Sequence, residues 1–500
     1  MGEGEGSGAG DVGPGSPRAR VGLVLAPVAF LALWIAPLPL DTGAHRLLAI
    51  FVAVIVLWVT EVLPIAATAL LIAPAMILAG VCDAKTAFAP YADPLLFLFV
   101  GGFMIARSMT RHGLDRRLAL GLVTAPIIRG LPARVRAAFM FAGVVLSMWI
   151  SNTATTAILL PILIGLMGKQ EEEGQKGALT GSLLAVAYAC SIGGLGTPVG
   201  SPPNLIAMGF LRDAGFELTF FDWVKVGLPA ALVMVLVTFL YFQRRFPPVP
   251  LLGQEAAQRP RGPLGVGETV TALSFGVAVV GWMTPGLLAA VASTFDFWIF
   301  HPMAAWAGEV APVVKAALPG GAVAIVAASL LFLFREPGGK RVLPWHDAAR
   351  IDWGIIMLFG GGISLGRQMF DTGLAEALSR GFVELTGVQD VWTLTALVTV
   401  FTIFFTETCS NTATSNMLSP LVIAVCAELG VSPMPPVLAV GLAASCAFML
   451  PIATGPNAIV YGTGHVPQTT MMRAGFWLNI TCAALIFALL RILCPIYGWG

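Results

Sequence analysis

The chain has 500 residues, 57% hydrophobic and 11% charged, with a mean hydropathy of +0.86 and a formal net charge of +1. A water-soluble domain carries about 25% charged residues, so this chain cannot cover its surface in water and its solvent is largely lipid. The small net charge removes the electrostatic basis for binding nucleic acid, and seven scattered cysteines, odd in number and mostly inside apolar runs, argue against a disulfide framework or a metal cluster.

Residues 1–20 are Gly-rich and polar, with Arg18 and Arg20 just before the first apolar run, and read as a disordered cytoplasmic tail. A cleaved signal peptide is disfavoured, because Ile35-Ala36-Pro37-Leu38 lacks a small-x-small cleavage site. Apolar stretches follow at 21–36, 47–79, 226–242 and 476–493. They are continuous rather than alternating, which predicts membrane-spanning helices and not an outer-membrane barrel.

The chain repeats itself. Ser151-Asn152-Thr153-Ala154-Thr155 recurs as Ser410-Asn411-Thr412-Ala413-Thr414, each followed by a proline at the same distance, Pro161 and Pro420. Upstream, Gly101-Gly102 with Arg107 and Gly113-Leu114 recurs as Gly361-Gly362 with Arg367 and Gly373-Leu374. Downstream, Ser201-Pro202-Pro203-Asn204 is echoed by Thr454-Gly455-Pro456-Asn457. Three markers in register predict an internal duplication.

Charge orients the copies. Arg107, Arg111, Arg116, Arg117, Arg129, Arg134 and Arg136 follow the first Gly-Gly marker with one acid, Asp115. Arg367 and Arg380 follow the second, against Asp371, Glu376, Glu384 and Asp390. Basic residues near helix ends favour the cytoplasm, so the repeats are read as inverted. The expected organisation is a tail at 1–20, an extra helix at 21–44, a first repeat at 45–243, a cytoplasmic linker at 244–265 and a second repeat at 266–493. Within the linker, 253–263 is Gly-, Pro- and Arg-rich. Residues 294–315, with Trp298, His301 and Trp306, read as an extracellular insertion carrying an interfacial aromatic patch.

Each Ser-Asn-Thr lies between apolar arms too short to span comfortably, such as 137–150 and 154–167. This predicts two re-entrant helical hairpins, the second over roughly 391–426. Their partners are proline-broken helices, Gly193-Gly194-Leu195-Gly196-Thr197-Pro198 leading into Gly200-Ser201, and Pro451-Ile452-Ala453-Thr454-Gly455-Pro456-Asn457. Broken helices at matching positions of inverted halves point to a transporter's site. Hydroxyl and carbonyl oxygens suit a hard cation, and broken-helix N-termini suit an anion. No Arg, Lys or His falls within these motifs, so a dianion held here needs bound cations for compensation. Glu407, the acid beside the second tip, is open between a functional and a structural role. Glu61 reads as a structural helix end. No enzyme constellation is visible, which leaves an intramembrane hydrolase and an anion channel as remote alternatives.

At these motifs, and at Thr60-Glu61 with Leu63-Pro64, the sequence resembles the divalent anion–sodium symporter (DASS) family of di- and tricarboxylate or sulfate transporters. The resemblance implies an all-α polytopic membrane protein of about eleven transmembrane helices, two hairpins and two broken helices. It further implies a homodimer with an elevator motion, in the inner (plasma) membrane with its N-terminus cytoplasmic. It implies sodium at Ser147, Ser151, Asn152 and the backbone near Gly200, and again at Thr406, Ser410, Asn411 and the backbone near Ala453. It implies a divalent anion, most simply a C4-dicarboxylate, on Asn152, Thr153, Ser201, Asn411, Thr412 and Thr454. Gly455 stands where many relatives have proline, which bears on the anion's size and shape. Sodium-independent dicarboxylate exchange on the same fold is the alternative.

Overall fold

In lipid every backbone N–H and C=O must pair inside the chain. The computed structural model of the protein accordingly consists, over its described residues 17–124, 132–167, 173–248, 262–294 and 301–499, of helices joined by turns and loops, with one isolated bridge between Arg335 and Arg341. Eight helices, from Pro17–Ile35 to Gln468–Ile496, are long and apolar enough to cross a bilayer, or up to ten spans if each of two bent pairs counts as one. The bent pairs are Met303–Ala317 with Gly320–Leu333 (67°) and Leu374–Thr386 with Val391–Thr406 (94°). Three shorter apolar helices, Ile65–Leu78, Asn152–Met167 and Met434–Ala443, are not in that count, which falls just short of the expected eleven or so.

Several expectations fall outside the described residues: most of the tail, Arg129, the linker from 249 to 261, and Trp298 with the rest of 295–300. The extra helix begins at Pro17, inside the expected tail. Much of the expected insertion is the helix His301–Ala317, on which Trp306 is exposed.

The described residues group into two compact units that cut across the expected repeats. The first takes residues from Met1–Asp93, Pro202–Phe216 and Trp353–Gly500. Its core packs Thr42–Thr60 and Ile65–Leu78 with Trp353–Asp371, around Leu47, Trp58, Ile72, Met76, Leu358 and Met369. Without a hydrophobic drive between helices in lipid, small residues let backbones approach. At Gly361 a Cβ would sit 2.6 Å from the Ala69 carbonyl oxygen. Four charges tie the end of Pro202–Asp213 into this unit: Arg212 forks onto Asp93 at 2.9 and 2.5 Å, and Arg367 reaches Asp213 at 2.7 Å. The repeat marker Arg367 thus has an ionic task.

The second unit takes Pro94–Ser201 and Glu217–Asp352. Pro94–His112 packs on Gly320–Leu333 through Gly101, where a Cβ would lie 2.5 Å from the Ala324 backbone. Arg136 is 2% exposed, and among the described residues its hydrogen bonds go to neutral oxygens and not to a carboxylate. Its donors go to Ser182 Oγ (3.1 Å), Gln243 Oε1 (3.0 Å) and the carbonyls of Phe242 (3.0 Å) and Phe246 (2.8 Å). Those carbonyls belong to the C-terminal end of Phe220–Arg245, where helical acceptors lack partners of their own.

Both expected hairpins form. In the second unit, arms Pro132–Ser147 and Asn152–Met167 flank the first tip; in the first unit, arms Val391–Thr406 and Asn411–Leu429 flank the second. Three of these arms have 16 residues. At 1.5 Å per residue that is about 24 Å, short of a hydrocarbon core of about 30 Å.

Candidate functional site

At the first tip the helix tightens before it breaks, with Trp149 and Ile150 N–H both reaching the Leu146 carbonyl (3.0 Å each). Ser151 is exposed, and its carbonyl starts the next helix by accepting Thr155 N–H at 2.9 Å. Behind it lies a cluster of oxygens. Ser147 is fully buried, and Asn152 Oδ1 is buried without a hydrogen-bond partner. A Cβ at Gly194 would fall 2.8 Å from both amide atoms of Asn152 and 3.0 Å from the Gly200 carbonyl oxygen. One at Gly200 would fall 2.6 Å from the Gly194 carbonyl oxygen and 3.0 Å from the Ser147 carbonyl oxygen. A Cβ at Gly200 would run into main-chain oxygens, and one at Gly194 would push the Asn152 amide aside, because this stretch lies directly on the tip. Of the residues expected to hold the first sodium, the structure brings Ser147, Asn152 and Gly200 together and adds Gly194. Ser151 and Thr153 are exposed, and Ser201 is buried at the start of the following helix.

The unwound stretch is stitched locally. Thr197 Oγ1 donates to the Met148 carbonyl, and Gly200 N–H reaches Thr197 Oγ1 at 3.2 Å. Trp223 Nε1 donates to the Leu195 carbonyl at 2.9 Å.

The second tip solves the same problem differently. Thr406 stands as far before its Ser-Asn-Thr as Ser147 does before the first. Thr406 Oγ1 lies 2.8 Å from Asn411 Oδ1 and 2.8 Å from the Ala444 carbonyl oxygen. A hydroxyl has one proton, so three oxygens share a single hydrogen and lone pairs remain for a cation. Ala444 was not anticipated from the motifs. Ala453 donates its N–H to the Leu450 carbonyl at 3.2 Å, and Ser410 starts the second arm by accepting Thr414 N–H at 2.8 Å. Thr412 is 8% exposed, within its arm. Thr454 caps the helix Gly455–Gly462, its Oγ1 accepting Asn457 N–H at 3.3 Å. Asn457 Nδ2 pins the carbonyls of Ala447 (3.1 Å) and Leu450 (3.0 Å).

Glu407, left open by the sequence, is buried and fully engaged. Its Oε1 accepts Phe448 N–H (2.7 Å), Met449 N–H (2.8 Å) and Asn479 Nδ2 (2.7 Å), and its Oε2 accepts Leu450 N–H (3.1 Å). Asn479 carries no motif signal, since one Asn in an apolar helix matches many structural roles. Glu61 has φ +51° and ends Thr42–Thr60, its N–H reaching the Leu57 carbonyl, as expected of a helix terminus.

Both tips therefore offer neutral oxygens on unwound backbone, and no group of three or more His, Cys, Asp or Glu that could hold a metal lies among the described residues. That chemistry suits a hard, singly charged cation better than a resident transition metal.

Comparison with known proteins agrees with this geometry. The family described as the sodium:sulfate symporter transmembrane region matches residues 18–497. A protein named sodium-dependent dicarboxylate transporter SdcS, from Staphylococcus saprophyticus, is 32% identical over 95% of this chain and 91% of its own. Its namesake in Staphylococcus aureus strain USA300 is 31% identical over 97% and 92%. An uncharacterized transporter of Haemophilus influenzae is 33% identical over 90% and 92%. Among solved structures, the Alcanivorax borkumensis YdaH transporter shares the fold at a TM-score of 0.53, with 17% identity, covering 96% of this chain and 98% of that one. The chain belongs to the sodium:sulfate symporter (DASS) family of polytopic membrane transporters, which are carriers and not enzymes.

Proposed function

We propose that the protein is a sodium-coupled secondary active symporter of a divalent oxyanion. A C4-dicarboxylate is the first choice, with sulfate or a tricarboxylate as alternatives. The observation that carries this reading is the orphaned buried acceptor Asn152 Oδ1, set against Gly194 and Gly200 among the main-chain oxygens of Ser147, Gly194 and Gly200. Buried acceptors without donors cost free energy unless a ligand supplies the positive end. Sodium is such a ligand, and the relatives named as sodium-dependent dicarboxylate transporters support it.

In this reading one sodium is held by Ser147, Ser151, Asn152 and the backbone near Gly200. A second is held by Thr406, Ser410, Asn411 and the unwound backbone that includes Ala453. The anion's oxygens take their donors from Asn152, Thr153, Ser201, Asn411, Thr412 and Thr454, with Gly455 leaving room beside them. The carrier works as a homodimer in the plasma membrane, N-terminus inside, by an elevator motion.

Moving a charge through the membrane potential involves about 2.3 kcal/mol per 100 mV. Two sodium ions only neutralise a dianion, so uptake driven by the potential needs a further cation. Uptake of labelled succinate and of labelled sulfate into proteoliposomes is the test. A sodium gradient is expected to drive accumulation of one of them. Accumulation that ignores sodium but rises with internal dicarboxylate would replace symport by exchange.

A further inference from the structure

The four hydrogen bonds on Glu407 have no counterpart at the first tip, where Met148 occupies the equivalent position. Burying a carboxylate is expensive unless hydrogen bonds replace its water. Here three successive backbone amides, Phe448 to Leu450, and the Asn479 amide do so, all of them neutral donors. Successive amides turned onto one anion form a nest, and bonds to a charged acceptor are about twice as strong as neutral ones. These amides sit in the stretch between the helices Met434–Ala443 and Gly455–Gly462. One end of that stretch, Ala444, meets Thr406, the residue just before Glu407. The other end leads to Thr454. One side chain therefore clamps the middle of the segment whose ends build the second tip.

We propose that Glu407 is the positioning residue of the second tip: it holds the unwound stretch in its cation-binding shape before sodium arrives. This rests on the sodium reading above. At the first tip the glycines and Thr197 hold the backbone instead, and no acidic or basic residue falls within 147–153 or 193–201. The second tip therefore carries a built-in negative charge next to Thr406, and its sodium affinity depends on Glu407.

Hydrogen–deuterium exchange of residues 444–456, with the full-length protein in lipid nanodiscs in choline or in sodium medium, tests the clamp directly. The wild type is expected to show the same protection in both. Glu407→Gln, whose NH2 cannot accept from Leu450, is expected to exchange fast in choline and recover in sodium. Its half-saturating sodium for uptake is expected to rise about tenfold or more, as for the loss of a charge-assisted hydrogen bond. Its KM for anion at saturating sodium should stay near that of the wild type. A wild type protected only in sodium would overturn the proposal, and so would a variant that loses yield or rate at unchanged sodium half-saturation. Should Glu407→Gln fail to fold, Asn479→Ala removes one donor and must show a smaller sodium shift; an unchanged value overturns the clamp. Sodium-independent uptake by the wild type would instead sink the symport reading, and the exchange data in choline would still decide what Glu407 holds.

Discussion

Gly194 and Gly200 hold the unwound backbone against the first tip by having no side chain. Gly194→Ala would drive a methyl group to 2.8 Å from the Asn152 amide, too close for either partner to keep its place. The expected outcome is folded protein whose sodium-stimulated uptake falls at least about tenfold, because a cation cluster tolerates displacements of only a few tenths of an ångström. Uptake at wild-type rate and sodium dependence would show that Asn152 is not a cation ligand. At this scale the sequence was most informative where types were duplicated. Asn152 and Asn411 announce themselves by the duplicated motif, whereas Ser147 and Thr406 follow only from the family resemblance. Ala444, Asn457 and Asn479 do not, because a backbone carbonyl or a lone amide is recruited by the path of a distant segment. Glu407 was visible as a buried acid, but whether it faced a ligand or the backbone depended on three amides more than forty residues away.

The arms of each hairpin depend on their ends as much as on their apolar faces. Val391–Thr406 starts at Asp390, whose Oδ1 accepts Trp392 N–H at 2.9 Å and Thr393 N–H at 3.1 Å, and whose Oδ2 takes the Thr393 hydroxyl. The Thr393 hydroxyl first, then its amide, holds the Asp390 carboxyl below the ordinary range. A carboxyl whose folded pKa is depressed stabilises the fold fully above its unfolded pKa and loses that contribution as pH falls through the folded one. Asp390→Ala should therefore lower the melting temperature at neutral pH, with the gap to wild type closing as pH drops below about 4. A gap that persists in acid would assign the effect to packing. Helices and their breaks were legible because continuous apolar runs and prolines act locally. The partners of Arg136 were not. The charge pattern marked it as a basic cytoplasmic flank, whereas packing buried it on the carbonyl end of another helix.

At the scale of the whole molecule, ligands that bind only the folded state raise its stability by mass action. In detergent, sodium alone is expected to raise the melting temperature, and the transported anion to add a further rise only when sodium is present. A rise with anion in choline equal to that in sodium would favour exchange. Swapping succinate, sulfate and citrate in the same assay reads the room beside Gly455. The composition, the duplicated Ser-Asn-Thr motifs, the reversed charge flanks and the paired helix breaks were enough, by sequence alone, to determine a helical membrane carrier with two oxygen-rich tips. All of these are local or periodic signals that lipid and backbone hydrogen bonding translate directly into structure. The tertiary structure alone decided how the helices group into units that cut across the repeats, which carbonyls complete each tip, and that one tip is braced by glycines and the other by Glu407. Those choices follow from contacts between distant segments, whose geometry no local pattern encodes.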